Sequence, residues 1–488
     1  MKLRFSSIWV LLVVMLLVSL ACSSTTPTPK APEGDQQPQA TAVQTEQKEV
    51  QPDQPTPTTV PTATELPKNL IVKVGERAQS SGIGLVVVKV EKLKEAGFVT
   101  AEEGKVILDI EVVIENLNRD EKMPYNPMYF KVKDSESYEY DISFGSLDPS
   151  LQSGELTKGE RVRGHVAFEV PEKATGLVVS YEPIVLFGGY EPVKVNLDEI
   201  SDTPVELGDA KAVAPAGKVG DKVESAGIGF IVLSVKQTDA AGFATAKAGN
   251  TLFDIEVIIQ NVSREETTPY NPFYFKIKDK DGFEYNTTIN AFSPALQSGE
   301  LEKGDVVRGH VTFEVKKEAV DLIVTYEPMV LFGDYKPIRI SLAEKAEKPA
   351  EIPSPLPFPK NKVGTPVESA GVTLTVLSVQ KVKTAGGLNA KVGYTYVDLE
   401  VEISNTGRDD PSPYNPLYFK VRDNQGYEYS TDFVSVEPAL KSGKLAKGEK
   451  VKGHVAFEVP ETAAGLLVLY EPGVLFGGYR IIRIDLGN

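Results

Sequence analysis

The tightest constraint on this chain is a repeat whose register does not slip. "KVG" begins at Lys73, Lys218 and Lys362, "PYNP" at Pro124, Pro269 and Pro413, and "YEP" at Tyr181, Tyr326 and Tyr470. Each anchor is displaced by 145 and then 144 residues, so nothing is inserted or lost within a copy. Periods this long exceed those of solenoid units and match whole domains. The copies run 69–199 (repeat 1), 217–343 (repeat 2) and 361–488 (repeat 3). Between them, 200–216 and 344–360 are rich in Pro, Ala and charge and read as linkers.

Inside a copy the hydrophobic period is two. Val397, Leu399, Val401 and Ile403 alternate with Asp398, Glu400, Glu402 and Ser404, and Leu108, Ile110, Val112 and Ile114 stand against Asp109, Glu111 and Glu115. That pattern describes a strand with one buried and one wet face. Further strands are expected at "GLVVVKVEKL", "MYFKVKD", "YEYDIS", "RVRGHVAFEV", "GLVVSYEPI" and "PVKVNL". Seven or so short strands per copy, with turn residues between, indicate an all-β chain of three tandem antiparallel β-sandwich domains. The one helical hint is "DPSLQSG", with Asp148 as N-cap, Pro149 in the first turn and Gly154 as stop. Asn116, Asn261 and Asn405 close their strands and are expected to bond turn backbone.

The amino terminus carries an address. Lys2 and Arg4 precede an apolar run from Ile8 to Val18, and small Ala21 precedes Cys22, the only cysteine. The run is too short to span a bilayer as a helix, which takes about 20 residues. "SLAC" resembles the lipobox of bacterial lipoproteins, with Ser19 where that motif usually has Leu. The resemblance implies a signal peptide at 1–21 and lipidation of Cys22, hence a membrane partner through N-terminal lipid and an extracytoplasmic, lipid-anchored location. Residues 22–68 hold almost no large apolar side chain and read as a disordered tether reaching about 40 Å as a flexible coil.

The run of a "KVG" opener, an "IEN" strand end, "FKVKD" with "YEY", and "KGE" leading into "GHVAFEVPE" resembles the domain of unknown function 4352 family. That family is immunoglobulin-like and similar to a mycobacterial immunoprotective secreted antigen. The resemblance covers all three copies and implies an immunoglobulin-like fold outside the cytoplasm, with no established activity.

Chemistry is sparse. A formal net charge of -16 argues against nucleic acid as a partner. One cysteine allows no internal disulfide and no cysteine-rich zinc site. All three histidines, His165, His310 and His454, sit in the recurring "GHV" phrase. Strand phase places Val162, Gly164, Val166, Phe168 and Val170 inward and His165 outward, where it is expected to be solvated. "SGIG" and "AGIG" lack the third glycine of a dinucleotide site. Asp279 and Asp281 in "KDKDG" faintly suggest calcium, but a polar hairpin turn accounts for them. No catalytic residue, metal or cofactor is expected, and the chain is not expected to be an enzyme.

The remaining candidates are aromatic. Tyr125, Tyr270 and Tyr414 lie between two prolines, each followed by Asn126, Asn271 or Asn415, and Tyr190, Tyr335 and Tyr479 tip the "VLFGGY" or "VLFGDY" loops. Rigid tyrosines with neighbouring amides suit contact with cell-envelope glycan or a protein partner. Equally, they could lock loops onto the sandwich end, as a tyrosine corner does. The first reading makes the protein a binding or adhesion module; the second makes it a structural spacer or envelope-stress component with no specific ligand.

Overall fold

The computed structural model describes residues 71–183, 191–208, 214–328, 335–357, 359–432, 434–471 and 479–487. The expected signal peptide, Cys22, the expected tether and Tyr190 lie outside the described residues. Among the described residues no helix is long and apolar enough to cross a membrane.

Repeat 1 is built from β1 (Ile71–Val74), β2 (Arg77–Ser80), β3 (Ile83–Leu93), β4 (Glu95–Ala96), β5 (Val99–Thr100), β6 (Lys105–Asn116), β7 (Met123–Tyr125), β8 (Phe130–Lys133), β9 (Glu139–Tyr140), β10 (Ile142–Ser143), β11 (Gly154–Leu156), β12 (Arg161–Pro171), β13 (Val178–Tyr181) and β14 (Val193–Ile200). One sheet runs β1-β14-β13-β8-β9 and the other β10-β12-β6-β3-β2, while β7 and β11 form a separate ribbon. All pairings are antiparallel except β1 with β14, which is parallel. Repeats 2 and 3 reproduce the two facing sheets. The chain is thus three tandem immunoglobulin-like β-sandwiches.

Period two decides which residues enter each core. Leu108, Ile110, Val112 and Ile114 from β6 and Val162, Val166, Phe168 and Val170 from β12 are at most 3% exposed. They meet Phe130, Val132, Val179 and Tyr181 of the facing sheet, where the Phe130 and Tyr181 rings are 4.7 Å apart. The same ring pair recurs as Phe275 with Tyr326 and Phe419 with Tyr470. Each repeat has its own core. The first long strand carries a bulge at the same place in every repeat, between Val87 and Lys89, Val232 and Ser234, and Val376 and Ser378. The extra residue resets the alternation, so Val90 and Val235 rejoin the core side.

Three expectations need correction. "DPSLQSG" forms no helix: Pro149 O accepts from His165 N (3.0 Å) and Leu151 N donates to His165 O (2.8 Å), so the segment lies extended on β12. The outer face of β6 is not wet, because Asp109, Glu111 and Glu115 are each paired, with His165, Arg163 and Arg77. The first part of each linker is held to its repeat. Ser201 N and Val205 N donate to Val74 O and Gly75 O, and Ala346 N and Ala350 N to Val219 O and Gly220 O. These amides find carbonyls left open at the edge beside β1.

Candidate functional site

The "GHV" strand explains itself through the segment laid across it. A Cβ at Gly164 would sit 2.6 Å from Leu151 Cα, so only glycine lets that backbone approach. The next residue then exchanges both backbone hydrogen bonds with the crossing segment, in all three repeats. Its imidazole Nδ1 pairs with an aspartate on the neighbouring strand: His165 with Asp109 (2.7 Å), His310 with Asp254 (2.7 Å), His454 with Asp398 (2.8 Å). His165 is therefore buried rather than solvated, and His310 and His454 are half-buried. The sequence phase was right about the face; over His165 it is covered by the aspartate and by the Phe283 ring of the next repeat, stacked at 6.3 Å, neither of them local. Among the described residues no cluster of three or more His, Cys, Asp or Glu could hold a metal. Asp279 caps a hairpin turn, accepting from Asp281 N, Phe283 N and the Tyr285 hydroxyl.

The "PYNP" loop is a compact device. Asn126 is extended (φ -158°) and its side chain accepts from Met128 N, capping the 3-10 turn Pro127–Tyr129 with proline at its start. Asn271 and Asn415 do the same. The three amides are thus spent on their own turns. Just before the cap, Tyr125 on β7 lies over Gly154 of β11, where a Cβ would meet the ring hydroxyl at 2.4 Å.

The hydroxyls of these tyrosines cross to the next repeat. Tyr125 Oη donates to Glu284 Oε2 at 2.6 Å, and Tyr270 Oη donates to Glu428 Oε2 at 2.6 Å. Tyr125 is 3% exposed and Tyr270 1%, so neither can be an external contact point. Around each pair the hairpin of one repeat bridges the open edge of the "GHV" strand of the one before it and covers side chains on that strand's outer face. Arg163 N donates to Gly282 O (2.9 Å) and its guanidinium lies 4.6 Å from the Phe283 ring centre; Arg308 repeats this with Gly426 O (2.8 Å) and Tyr427 (4.6 Å). At the second junction Arg422, 1% exposed in its side chain, spans Glu428 and Asp305 of the preceding repeat, each at 2.6 Å. Tyr414, in repeat 3, is only half-buried.

Of the loop-tip tyrosines, Tyr335 donates to Tyr326 O at 2.8 Å and Tyr479 to Tyr470 O, both half-buried. Each thus bonds to the last residue of a strand of its own repeat, as the second of the two alternatives open from sequence requires. The functional residues that sequence reasoning missed are the glutamates in "FEY" and "YEY" (Glu284, Glu428), Arg422 and Asp305. The glutamate recurs in every copy, which was the available signal, but its partner lies in another copy. The residue that does face solvent in each "PYNP" loop is the one after the second proline: Met128 (62%), Phe273 (80%) and Leu417 (61%).

Burial pushes the Tyr125 and Tyr270 hydroxyls far above the ordinary phenol range, helped by Glu284 and Glu428. They stay donors. Replacing Tyr125 with Phe removes a bond to a charged, buried acceptor, and a loss of about 1.5–3 kcal/mol is expected in urea unfolding. The carboxylates set a pH dependence. Burial alone would raise Glu284, but Lys278, Lys276 and the Tyr125 hydroxyl hold it below the ordinary 4.5. Glu256 is likewise lowered, burial being outweighed by the Tyr427 hydroxyl and Arg308. A folded value below the unfolded one contributes stability that is fully present above 4.5 and lost as pH falls through the folded value. Burial raises Asp279 and Asp423, which act in the opposite sense. Melting curves of the wild type and Glu284→Gln from pH 7 to pH 3 should therefore converge in acid.

The class defined by these features is an array of immunoglobulin-like sandwiches whose tyrosines and acidic hairpins join successive domains. The chain belongs to the family described as domain of unknown function (DUF4352), which it matches at residues 72–193, 217–338 and 361–481. Among solved structures it is similar to the yjhA protein from Bacillus subtilis at 20% identity, over 26% of this chain and 98% of that one, with a TM-score of 0.22. It is also similar to a β-sandwich protein from Clostridium difficile 630 at 14% identity, over 26% and 94%, with a TM-score of 0.19. A third likeness is to ycdA of Bacillus subtilis, described as a candidate lipoprotein: 15% identity over 25% and 38%, TM-score 0.22. No curated protein matches the chain.

Proposed function

We propose that the chain is a non-catalytic extracytoplasmic spacer, held on a membrane by lipid at Cys22, whose three sandwiches are coupled into one array. The observation that carries this reading is the use of the Tyr125 and Tyr270 hydroxyls between repeats, which turns the best binding candidates into joints. The paired histidines and capped asparagines support it, since each has a structural task. Two measurements test it. Cys22→Ser should move the full-length protein from the membrane fraction to the soluble one. The chain from residue 22 carrying that change should give one narrow length distribution by small-angle X-ray scattering, broadened in Tyr125→Phe/Tyr270→Phe. An equally broad distribution in both proteins would reject the spacer.

A binding or adhesion role is favoured by one observation, the exposed Met128, Phe273 and Leu417 at identical loop positions. On that reading a Met128→Ser/Phe273→Ser/Leu417→Ser variant loses retention on cell-envelope glycan or an envelope protein without losing stability.

A further inference from the structure

The junction between repeats has two halves, a hairpin edge and a receiving strand edge, and the chain uses the pair twice. Among the described residues, the hairpin half on repeat 1 and the receiving half on repeat 3 stay open. In repeat 1 the hairpin residue Tyr138 is 63% exposed, whereas Phe283, at the same register in repeat 2, is 5% exposed. Glu139 is exposed, whereas its counterparts Glu284 and Glu428 are buried. On repeat 3 the receiving tyrosine is Tyr414, half-buried where Tyr125 and Tyr270 are buried.

We propose that copies of this chain associate head to tail, the hairpin edge of repeat 1 in one copy bridging the open edge of the "GHV" strand of repeat 3 in the next. The chemistry of the joint is retained at both ends: a tyrosine hydroxyl at Tyr414, and a carboxylate at Glu139 flanked by Lys131 (2.9 Å) and Lys133 (3.1 Å), as Glu284 is flanked by Lys278. The positions that differ do so in complement. Inside the chain, Asn286 donates to Gln152 and Ser430 to Gln297, neutral pairs at 2.5 Å. At the same register repeat 1 carries Asp141 and repeat 3 carries Lys441, opposite charges, both exposed. The internal ion pair Arg339 with Glu160 (3.4 Å) has its counterpart in Lys194 and Glu449, again opposite and exposed. One position opposes the contact: where Lys247 meets Asp148 inside, the ends carry Glu102 and Glu437, although Glu102 already holds Lys105 at 2.7 Å. A contact between different faces of identical chains does not self-terminate unless its rotation closes a ring, so it builds an open series. The inference goes beyond the spacer reading, since a spacer can act as a single copy.

The test is sedimentation velocity on the chain from residue 22 with Cys22→Ser, from about 1 μM to about 1 mM, the upper limit reaching contacts of about 4 kcal/mol. The average mass should rise past the dimer without a plateau. Lys441→Glu and Asp141→Lys should each weaken association about tenfold or more, and the two reversals together should restore it to within about threefold. Both sites are exposed and outside the internal junctions, so melting should stay that of the wild type. A monomer at every concentration would assign the open edge to a different partner and overturn the proposal. A plateau at the dimer, or single reversals that assemble as the wild type does, would overturn it too.

Discussion

Arg422→Ala is expected to lower stability by about 3–5 kcal/mol, a large effect for one surface-type side chain. Arg422 Nη1 lies 2.6 Å from Asp305 Oδ2, while Nε and Nη2 lie 3.0 and 2.6 Å from Glu428 Oε1. Glu428 is 1% exposed and Asp305 2%, and the other oxygen of Glu428 already accepts from Tyr270. Burial alone would lower the arginine, but Glu428 and Asp305 outweigh it and raise it, so the group stays charged. Removing it takes from two buried carboxylates their closest cation, leaving Glu428 the Tyr270 hydroxyl and Asp305 the Val306 amide and Arg483 at 3.7 Å, and that desolvation, rather than the lost attraction, makes the loss large. Arg422→Lys is the internal control. Lys278 holds this register at the first junction and reaches Glu284 at 3.1 Å, so one carboxylate keeps its partner and the loss should be smaller. Urea unfolding followed by circular dichroism reads both. An Arg422→Ala loss under about 1 kcal/mol would mean that water enters the junction and that the repeats are not coupled there.

Gly309→Ala is the second large effect. A Cβ there would stand 2.5 Å from Leu296 Cα and 2.6 Å from Leu296 N, both backbone atoms with no rotamer to yield. The crossing segment has to lift, which breaks Leu296 N to His310 O (2.9 Å) and His310 N to Pro294 O (3.0 Å). Overpacking of this kind costs about 1–3 kcal/mol, and two lost backbone bonds add to it. Amide exchange should report the site directly, Leu296 and His310 losing protection while Val257, on the neighbouring strand and facing the core, keeps it. Full protection at Leu296 in the variant would show that the segment is not held by this contact.

Much of the fold was legible because its cause is local. Alternation at Leu108–Ile114 and Val162–Val170 placed the core faces correctly, and Asn116, Asn261 and Asn405 do bond turn backbone, as with Asn116 Nδ2 to Leu156 O at 3.0 Å. The candidate site was legible only by type. Tyr125, Tyr270, Tyr335 and Tyr479 stood out as constrained aromatics, and each is constrained, but toward protein. The "DPSLQSG" expectation failed for a related reason: Pro149 and Gly154 fit a helix locally, and the strand beside His165 offered backbone partners that no helix of that length could match.

Residues in one copy therefore specify one sandwich: strand phase, bulge, capped turn and crossing glycine all depend on neighbours along the chain or across one sheet. What the sheet's outer face meets depends on a hairpin about 120 residues further on, and side-chain periodicity carries no trace of that. Tyr138, Phe283 and Tyr427 hold the same register in three nearly identical hairpins, yet only the first is open to water. Sequence determined which side chains leave the core, and the stacking of one repeat on another decided which of them reach solvent.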